Sequence, residues 1–311
     1  MSPPGVRVRS GRLESILAAH AQWTADANLG CRCQLHDATL NDVDLRSAVL
    51  FGACLDGVTL LDADLSLANL SKAVISDVEF SRALLSKTDF TGAEIYRTRF
   101  LRAQMSGANF GQTKINEGNF QEARLEGAGF QDAIVRETVF NGGLLEAAMF
   151  HGAKLASCDF SNCRIDKAQF QRVRARSCRL FAVNGTDVNF RNCYFHECDL
   201  SNAVLYGAKF NNATFQATRW VRADLSGADL REASLGGADF SDAILRDVRM
   251  GAANTFATDF RGTDLTGARE LTAQQLFQAR TDAHTILPNG TYGPFLRFSG
   301  AERPKVDRRV Q

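Results

Sequence analysis

The sequence predicts an all-β solenoid: a chain wound into a square tube and closed at both ends by short helices. Three observations predict it. A large apolar residue returns every five positions, and a small residue sits two places before it. Phenylalanine also supplies nearly all the aromatic mass, with 22 Phe against 4 Tyr, and Pro is scarce at 5 in 311 residues. Phe without a hydroxyl suits a dry core, and scarcity of Pro suits a chain that uses its backbone donors throughout.

The period decides the architecture. Positions divisible by five read Leu35, Leu40, Leu45, Leu50 and Leu55, and the series runs to Phe260 and Leu265 as 47 consecutive units. Only Ala175, Gly185 and Thr255 lack a large apolar side chain there. The small residue is Ala38, Ala48, Ala53, Ala63 and so on, and the residue between is often acidic or Asn, as at Asp44, Asp64, Asn69 and Asp89. Period five matches neither the 3.6 of a helix nor the 2 of a long strand. It matches a backbone that turns a corner every five residues, with one large and one small side chain inward and three outward. Four units close a square coil of 20 residues. Coils stacked at about 4.8 Å pair their backbone groups with the coils above and below.

The core columns follow from that coil. Phe90, Phe110, Phe130, Phe150, Phe170 and Phe190 form one column, and Phe100, Phe120, Phe140 and Phe160 belong to a facing one. The other two columns are aliphatic in the middle of the chain, as in Leu85, Met105, Leu125 and in Ile75, Ile95, Ile115. Two large and two smaller plugs per layer fill a narrow tube at native density.

Segments such as Ala223-Asp224-Leu225-Ser226-Gly227-Ala228-Asp229-Leu230 resemble the pentapeptide-repeat family, whose consensus reads Ala-(Asp/Asn)-Leu-X-X. The resemblance covers about 235 of the 311 residues. It implies the family's right-handed quadrilateral β-helix with four units per coil, here about 12 coils and a rod of roughly 56 Å.

A solenoid needs its end layers covered. Residues 11–25 read as a capping helix with Leu13, Ile16, Leu17 and Trp23 on or near one stripe. Thr272-Ala273-Gln274-Gln275 has capping-box form before Leu276 and Phe277. The expected organisation is therefore 1–32 (N-terminal segment), 33–269 (repeat) and 270–311 (C-terminal helix and tail). Phe295 and Phe298 are expected against a face or a partner. The last ten residues, with Arg303, Lys305, Arg308 and Arg309, are expected to be solvated.

Chemistry-bearing motifs are sparse. Cys33, Cys158, Cys163, Cys178, Cys193 and Cys198 all fall at the small inward position, which reads as Cys replacing Ala rather than as metal pairs. Cys158, Cys178 and Cys198 should stack within thiol contact. The five histidines form no ligand pair, and no phosphate loop is visible. We expect no enzyme activity, no cofactor and no metal. No apolar run is long enough to cross a membrane, no signal peptide is recognisable, and sparse cysteines point to the cytoplasm.

The net charge of +1 conceals a pattern. Residues 33–94 carry net −6, residues 95–222 net +6, and residues 223–264 net −4. The basic stretch is densest at Arg164, Lys167, Arg172, Arg174, Arg176 and Arg179, and it contains the weak core positions Ala175 and Gly185 as well as an outward-phased Phe181. Two readings stand: a local distortion of one face that carries a binding patch, or a degenerate repeat with solvated arginines.

Two functions follow. The leading one is a non-enzymatic protein-binding or scaffold rod with an unidentified protein partner, without direct nucleic-acid binding. The alternative comes from the resemblance: some family members mimic B-DNA, bind DNA gyrase and give resistance to gyrase poisons. A duplex of that length carries about 33 phosphate charges, whereas residues 33–264 hold 29 acids against 25 bases. The resemblance also implies a homodimer through residues 271–298.

Overall fold

The computed structural model describes residues 6–7 and 10–304. Lys305, Arg308 and Arg309 of the expected tail lie outside the described residues. Packing divides the chain into two compact units, Met1–Lys154 and Leu155–Gln311, each treated in turn.

In the first unit, β1 (Val6–Arg7) pairs in parallel with β3 (Ala38–Thr39), and α1 (Ser10–Ala25) precedes the coils. The coils carry β2 (Gln34–His36), β4 (Cys54–Asp56), β5 (Val74–Ser76), β6 (Glu94–Tyr96), β7 (Lys114–Asn116) and β8 (Ile134–Arg136). These pair in parallel in a register of 20, aligning Leu35 with Leu55, Leu55 with Ile75 and Ile75 with Ile95. The other three sides are joined by single bridges five residues apart, Thr39 to Thr59, Asp44 to Asp64 and Val49 to Asn69. Four pairings per 20 residues make the coil quadrilateral, as the repeat predicts.

Each corner is a tight turn. The Ala48 N–H donates to the Leu45 carbonyl at 3.0 Å, and coil-to-coil bonds such as Leu45 N–H to the Asp64 carbonyl at 2.7 Å use the remaining groups. The second outer residue of each turn is left-handed: Asp42 (φ 58°), Asp62 (φ 56°), Gly92 (φ 67°), Gly107 (φ 69°). This explains why Asp, Asn and Gly crowd that position, since they adopt this conformation at least cost.

Inside, both Phe columns are dry. Phe90, Phe110 and Phe130 stack at 4.7 and 4.8 Å, nearly parallel. Phe100 and Phe120 stack at 4.5 Å, and the columns meet edge to face, as Phe90 and Phe100 do at 6.1 Å and 88°. Both arrangements suit the aromatic quadrupole.

The N-terminal cap is α1. Leu13 is buried, Ile16, Leu17 and Trp23 are half-buried, and His20 is buried completely. His20 Nδ1 accepts the Cys33 N–H at 2.9 Å, and its ring stacks on Trp23 at 5.4 Å. Gly30 (φ 71°) turns the chain back so that the Cys31 N–H reaches the Ala19 carbonyl at 3.2 Å; a Cβ at Gly30 would collide with that carbonyl.

β9 (Lys154–Ala156) begins at the last residue of the first unit, and the second unit carries β10 (Arg174–Arg176), β11 (Tyr194–His196) and β12 (Thr214–Gln216). Ala175 aligns with Phe195 and Phe195 with Phe215. Beyond Gln216 the register continues through single bridges, Thr214 to Ser234 and Ser234 to Asn254. Ten coils therefore carry a ladder strand, fewer than the 12 coils counted from the repeat. Later corners keep the 20-residue spacing with one bridge per side instead of a three-residue strand.

The weak positions Ala175 and Gly185 do not distort the coil. The Asn184 N–H bonds the Cys163 carbonyl and the Gly185 N–H the Val204 carbonyl, both at 2.9 Å. A Cβ on Gly185 would come within 2.7 Å of Ile165 Cγ1, so the site is full. Volume is redistributed: Leu180 and Leu200 replace Phe in one column, while Phe195 and Phe215 enter the aliphatic one and meet Phe190 and Trp220 edge to face. Phe160, Phe170, Phe190 and Trp220 are fully buried.

The C-terminal cap is α2 (Ala273–Gln278), with the capping box formed: Thr272 Oγ1 accepts the Gln275 N–H at 3.2 Å, and Gln275 Oε1 accepts the Thr272 N–H at 2.8 Å. Gln275 Nε2 donates to the Met250 and Ala253 carbonyls at 2.8 and 2.9 Å. Thr255, the polar exception in the repeat, donates Oγ1 to the Gln275 carbonyl at 2.7 Å. It is polar because a helix end replaces the next coil there. Phe295 is buried, whereas Phe298 is 98% exposed.

Candidate functional site

The six basic residues singled out by sequence do not converge on one face. Arg164 lies 3.8 Å from Asp166. Lys167 occupies a left-handed corner. Arg179 sits on the side that follows β10, with its guanidinium 5.3 Å from the centre of the half-buried Phe181 ring. Arg172, Arg174 and Arg176 do come together. Arg174 and Arg176 flank the inward Ala175 on β10, so both point outward. Arg172 stands at the corner just before the strand, with φ 58°. All three are exposed, and none has a carboxylate partner among the described residues.

These arginines line a shallow trough against the next coil. One lobe, about 290 Å³, is lined by Arg174, Ala175, Arg176, Tyr194 and His196. The neighbouring lobe, about 510 Å³, is lined by Arg172, Arg174, Asn192 and Tyr194. Tyr194 is 40% exposed, stacks beside His196 at 6.4 Å and 13°, and donates its hydroxyl to Gln216 at 2.8 Å. His196 Nδ1 lies 3.6 Å from Glu197, and Ser177 donates to Glu197 at 3.1 Å. Sequence reasoning missed Tyr194, His196 and Asn192. The signal was the column: these residues follow the arginines by 20 positions.

Several other cations are neutralised in place. Arg82 bonds Asp62 and Arg97 bonds Asp77 across neighbouring coils, each at 2.6 Å. Arg46 bonds Asp44, Arg231 bonds Asp229 and Arg261 bonds Asp259 within one turn, again at 2.6 Å. The guanidinium of Arg46 holds the Asp44 carboxyl down at about 2, and that of Arg231 does the same to Asp229.

The inward cysteines Cys33, Cys158, Cys163, Cys178, Cys193 and Cys198 are all buried. Cys158, Cys178 and Cys198 each donate to the carbonyl two residues earlier at 3.4 Å. Hydrogen bonding to Cys178 and burial raise the Cys198 pKa far above the ordinary thiol value. Burial likewise raises Cys33 to about 11. Among the described residues, no group of three or more His, Cys, Asp or Glu is placed to hold a metal ion.

The sequence matches two family models. One, a pentapeptide repeat region, matches residues 93–170. The other, pentapeptide repeats of eight copies, matches residues 32–66, 63–100, 186–219 and 208–247. No curated protein matches the sequence. Among solved structures, HetL, a pentapeptide repeat protein involved in heterocyst differentiation regulation from the cyanobacterium Nostoc sp. strain PCC 7120, is 22% identical. That alignment covers 92% of this chain and 99% of HetL with a TM-score of 0.28. Rfr23 from the cyanobacterium Cyanothece 51142 is 26% identical over 36% of this chain and 89% of its own, with a TM-score of 0.33. A trypsin-treated form of QnrB1, a plasmid-mediated fluoroquinolone resistance protein, is 20% identical over 67% of this chain and 89% of its own, with a TM-score of 0.33. With the 20-residue coil in place and the family models spanning well over half of the sequence, the chain belongs to the pentapeptide-repeat family.

Proposed function

We propose that the protein is a non-enzymatic scaffold that binds a protein partner through the basic side of its second unit. The observation that carries this reading is the uncompensated charge of Arg172, Arg174 and Arg176 on a coil whose core is filled and whose register is unbroken. Cations held apart by a rigid backbone, with no carboxylate to neutralise them, are available to a partner at little conformational cost. We assign the expected organisation 1–32, 33–269 and 270–311 to this scaffold.

The alternative, a duplex mimic that acts on DNA gyrase, needs a sustained row of free carboxylates. The acidic segments work against it, since Asp44, Asp62, Asp77, Asp229, Asp259 and Asp264 each carry an arginine partner. A homodimer through residues 271–298 belongs to the same proposal, supported by the exposure of Phe277, Leu296 and Phe298 beside the C-terminal cap. Light scattering that shows a monomer at high concentration removes it. Among the described residues no helix is long and apolar enough to cross a membrane, and the eight free cysteines support a cytoplasmic location.

Affinity capture from the native host, with the wild-type chain and the Arg172→Glu/Arg174→Glu/Arg176→Glu variant side by side, tests the reading. A partner retained by the wild type and lost from the variant is expected. Equal retention by both refutes the basic side as the docking face, and potent inhibition of gyrase supercoiling by the purified protein replaces the scaffold reading with the mimic.

A further inference from the structure

The geometry points to the occupant of the trough: we propose that it binds an extended acidic segment of a protein, with carboxylates on alternate residues seated among Arg172, Arg174 and Arg176. The inference rests on the protein-binding reading above and names the partner's chemistry.

Spacing is the first argument. Arg174 and Arg176 lie on one side of a strand, two residues apart, so their Cα atoms are separated by about 6.6 Å. Arg172, at the left-handed corner before the strand, lines the same trough as Arg174. A peptide lying extended along the row presents its alternate side chains at the same interval of about 6.6 Å. Carboxylates at i and i+2 therefore match the Arg174 and Arg176 guanidiniums one for one. Each guanidinium offers a fork of donors suited to a carboxylate.

Charge is the second argument. Glu197, at the corner after β11, already interacts with Ser177 and His196. The two lobes share Arg174 and Tyr194, so the trough is continuous along the row, and Ala175 keeps its floor low.

Competing modes fit less well. Addition of a β-strand is closed off, because Arg174 and Tyr194 are already paired through their backbones and the Tyr194 N–H bonds the Val173 carbonyl at 2.8 Å. Single-stranded nucleic acid binds through rows of open aromatic faces. Here Tyr194 has His196 beside one face and its hydroxyl committed to Gln216.

The test is fluorescence anisotropy on the full chain with three labelled probes: a peptide with Glu at alternate positions, a peptide of the same composition with its Glu residues contiguous, and an oligothymidylate of equal charge. The alternating peptide is expected to bind tightest, and added salt to weaken it. Arg174→Glu/Arg176→Glu should raise its Kd by at least about tenfold, as loss of two charge-assisted pairs requires. Arg174→Lys should fall between, and Arg249→Glu on another side should leave the Kd unchanged. Thermal melts of each variant confirm folding. Equal binding of the contiguous peptide, tighter binding of the oligothymidylate, absence of binding, or indifference to the double variant each overturns the proposal. If the alternating peptide fails while host capture still depends on these arginines, the partner chemistry is wrong and the scaffold reading survives. If host capture ignores them, the docking face itself is wrong.

Discussion

Replacing Phe110 by Ala removes one ring from the middle of a continuous aromatic stack. Phe110 is fully buried, with Phe90 at 4.7 Å and Phe130 at 4.8 Å on its faces, and Phe100 at 6.2 Å and Phe120 at 5.6 Å edge on. Burying a Phe side chain contributes about 1.5–3 kcal/mol, and each aromatic pair adds on the order of 0.5–1.5 kcal/mol beyond area. A cavity term follows, because the walls resist collapse. The coil around Phe110 is held by the bonds from Phe110 N–H to the Gly129 carbonyl at 2.6 Å and from Thr113 N–H to the Phe110 carbonyl at 3.2 Å. The loss therefore belongs at the upper end of the Phe→Ala range, about 4–5 kcal/mol. Urea unfolding followed by circular dichroism reads it directly. Because coils contact only their neighbours, the variant should also lower the slope of the transition, as the stack splits into weakly coupled halves. A loss under about 1.5 kcal/mol with an unchanged slope refutes the claim that the column is a rigid structural spine.

Gln275→Ala uncovers the Met250 and Ala253 carbonyls at the last layer and should cost about 2–3 kcal/mol, read as faster hydrogen exchange confined to coils near residue 250; unchanged protection would show that α2 is not the cap. Gly30→Ala forces a Cβ into the Ala19 carbonyl at a left-handed φ and should cost about 1–3 kcal/mol, measured by urea unfolding; a neutral result would show that the turn after α1 is loose. Burial, aided by Arg32, holds the His20 pKa below its ordinary 6.5, so the folded chain keeps the imidazole neutral with Nδ1 accepting the Cys33 N–H. The contribution is complete above about pH 6.5 and is lost as pH falls through the depressed value, because the unfolded chain binds the proton first. Hydrogen exchange at the Cys33 amide should lose protection below about pH 6.5, and a flat protection factor across that range would contradict the buried neutral histidine.

Much of this was legible in the sequence because the repeat is a physical constraint repeated 47 times. A large side chain at every fifth position has one place to go, so the Phe columns and the inward cysteines followed from phase alone. The capping box at Thr272 was legible because both of its partners are local. What escaped the sequence depends on atoms 20 residues apart. The cluster of six basic residues looked single along the chain, yet the corners place Arg164, Lys167 and Arg179 on other sides and leave only Arg172, Arg174 and Arg176 beside Tyr194 and His196. His20 escaped because its partner, the Cys33 amide, has no signature in composition. Thr255, an exception to the apolar repeat, owes its hydroxyl to a bond with the capping helix.

Site-specific photo-crosslinking in the native host shows whether a partner docks on the arginine trough. A photoreactive phenylalanine analogue placed at Tyr194 sits in the trough, and the same residue placed at Tyr206 sits on a different side of the same unit, where Tyr206 is also exposed. A discrete protein adduct is expected from position 194 that disappears when Arg172, Arg174 and Arg176 are changed to Glu, and none from position 206. Equal adducts from both positions, or an adduct at 194 that survives the charge reversal, would contradict docking there.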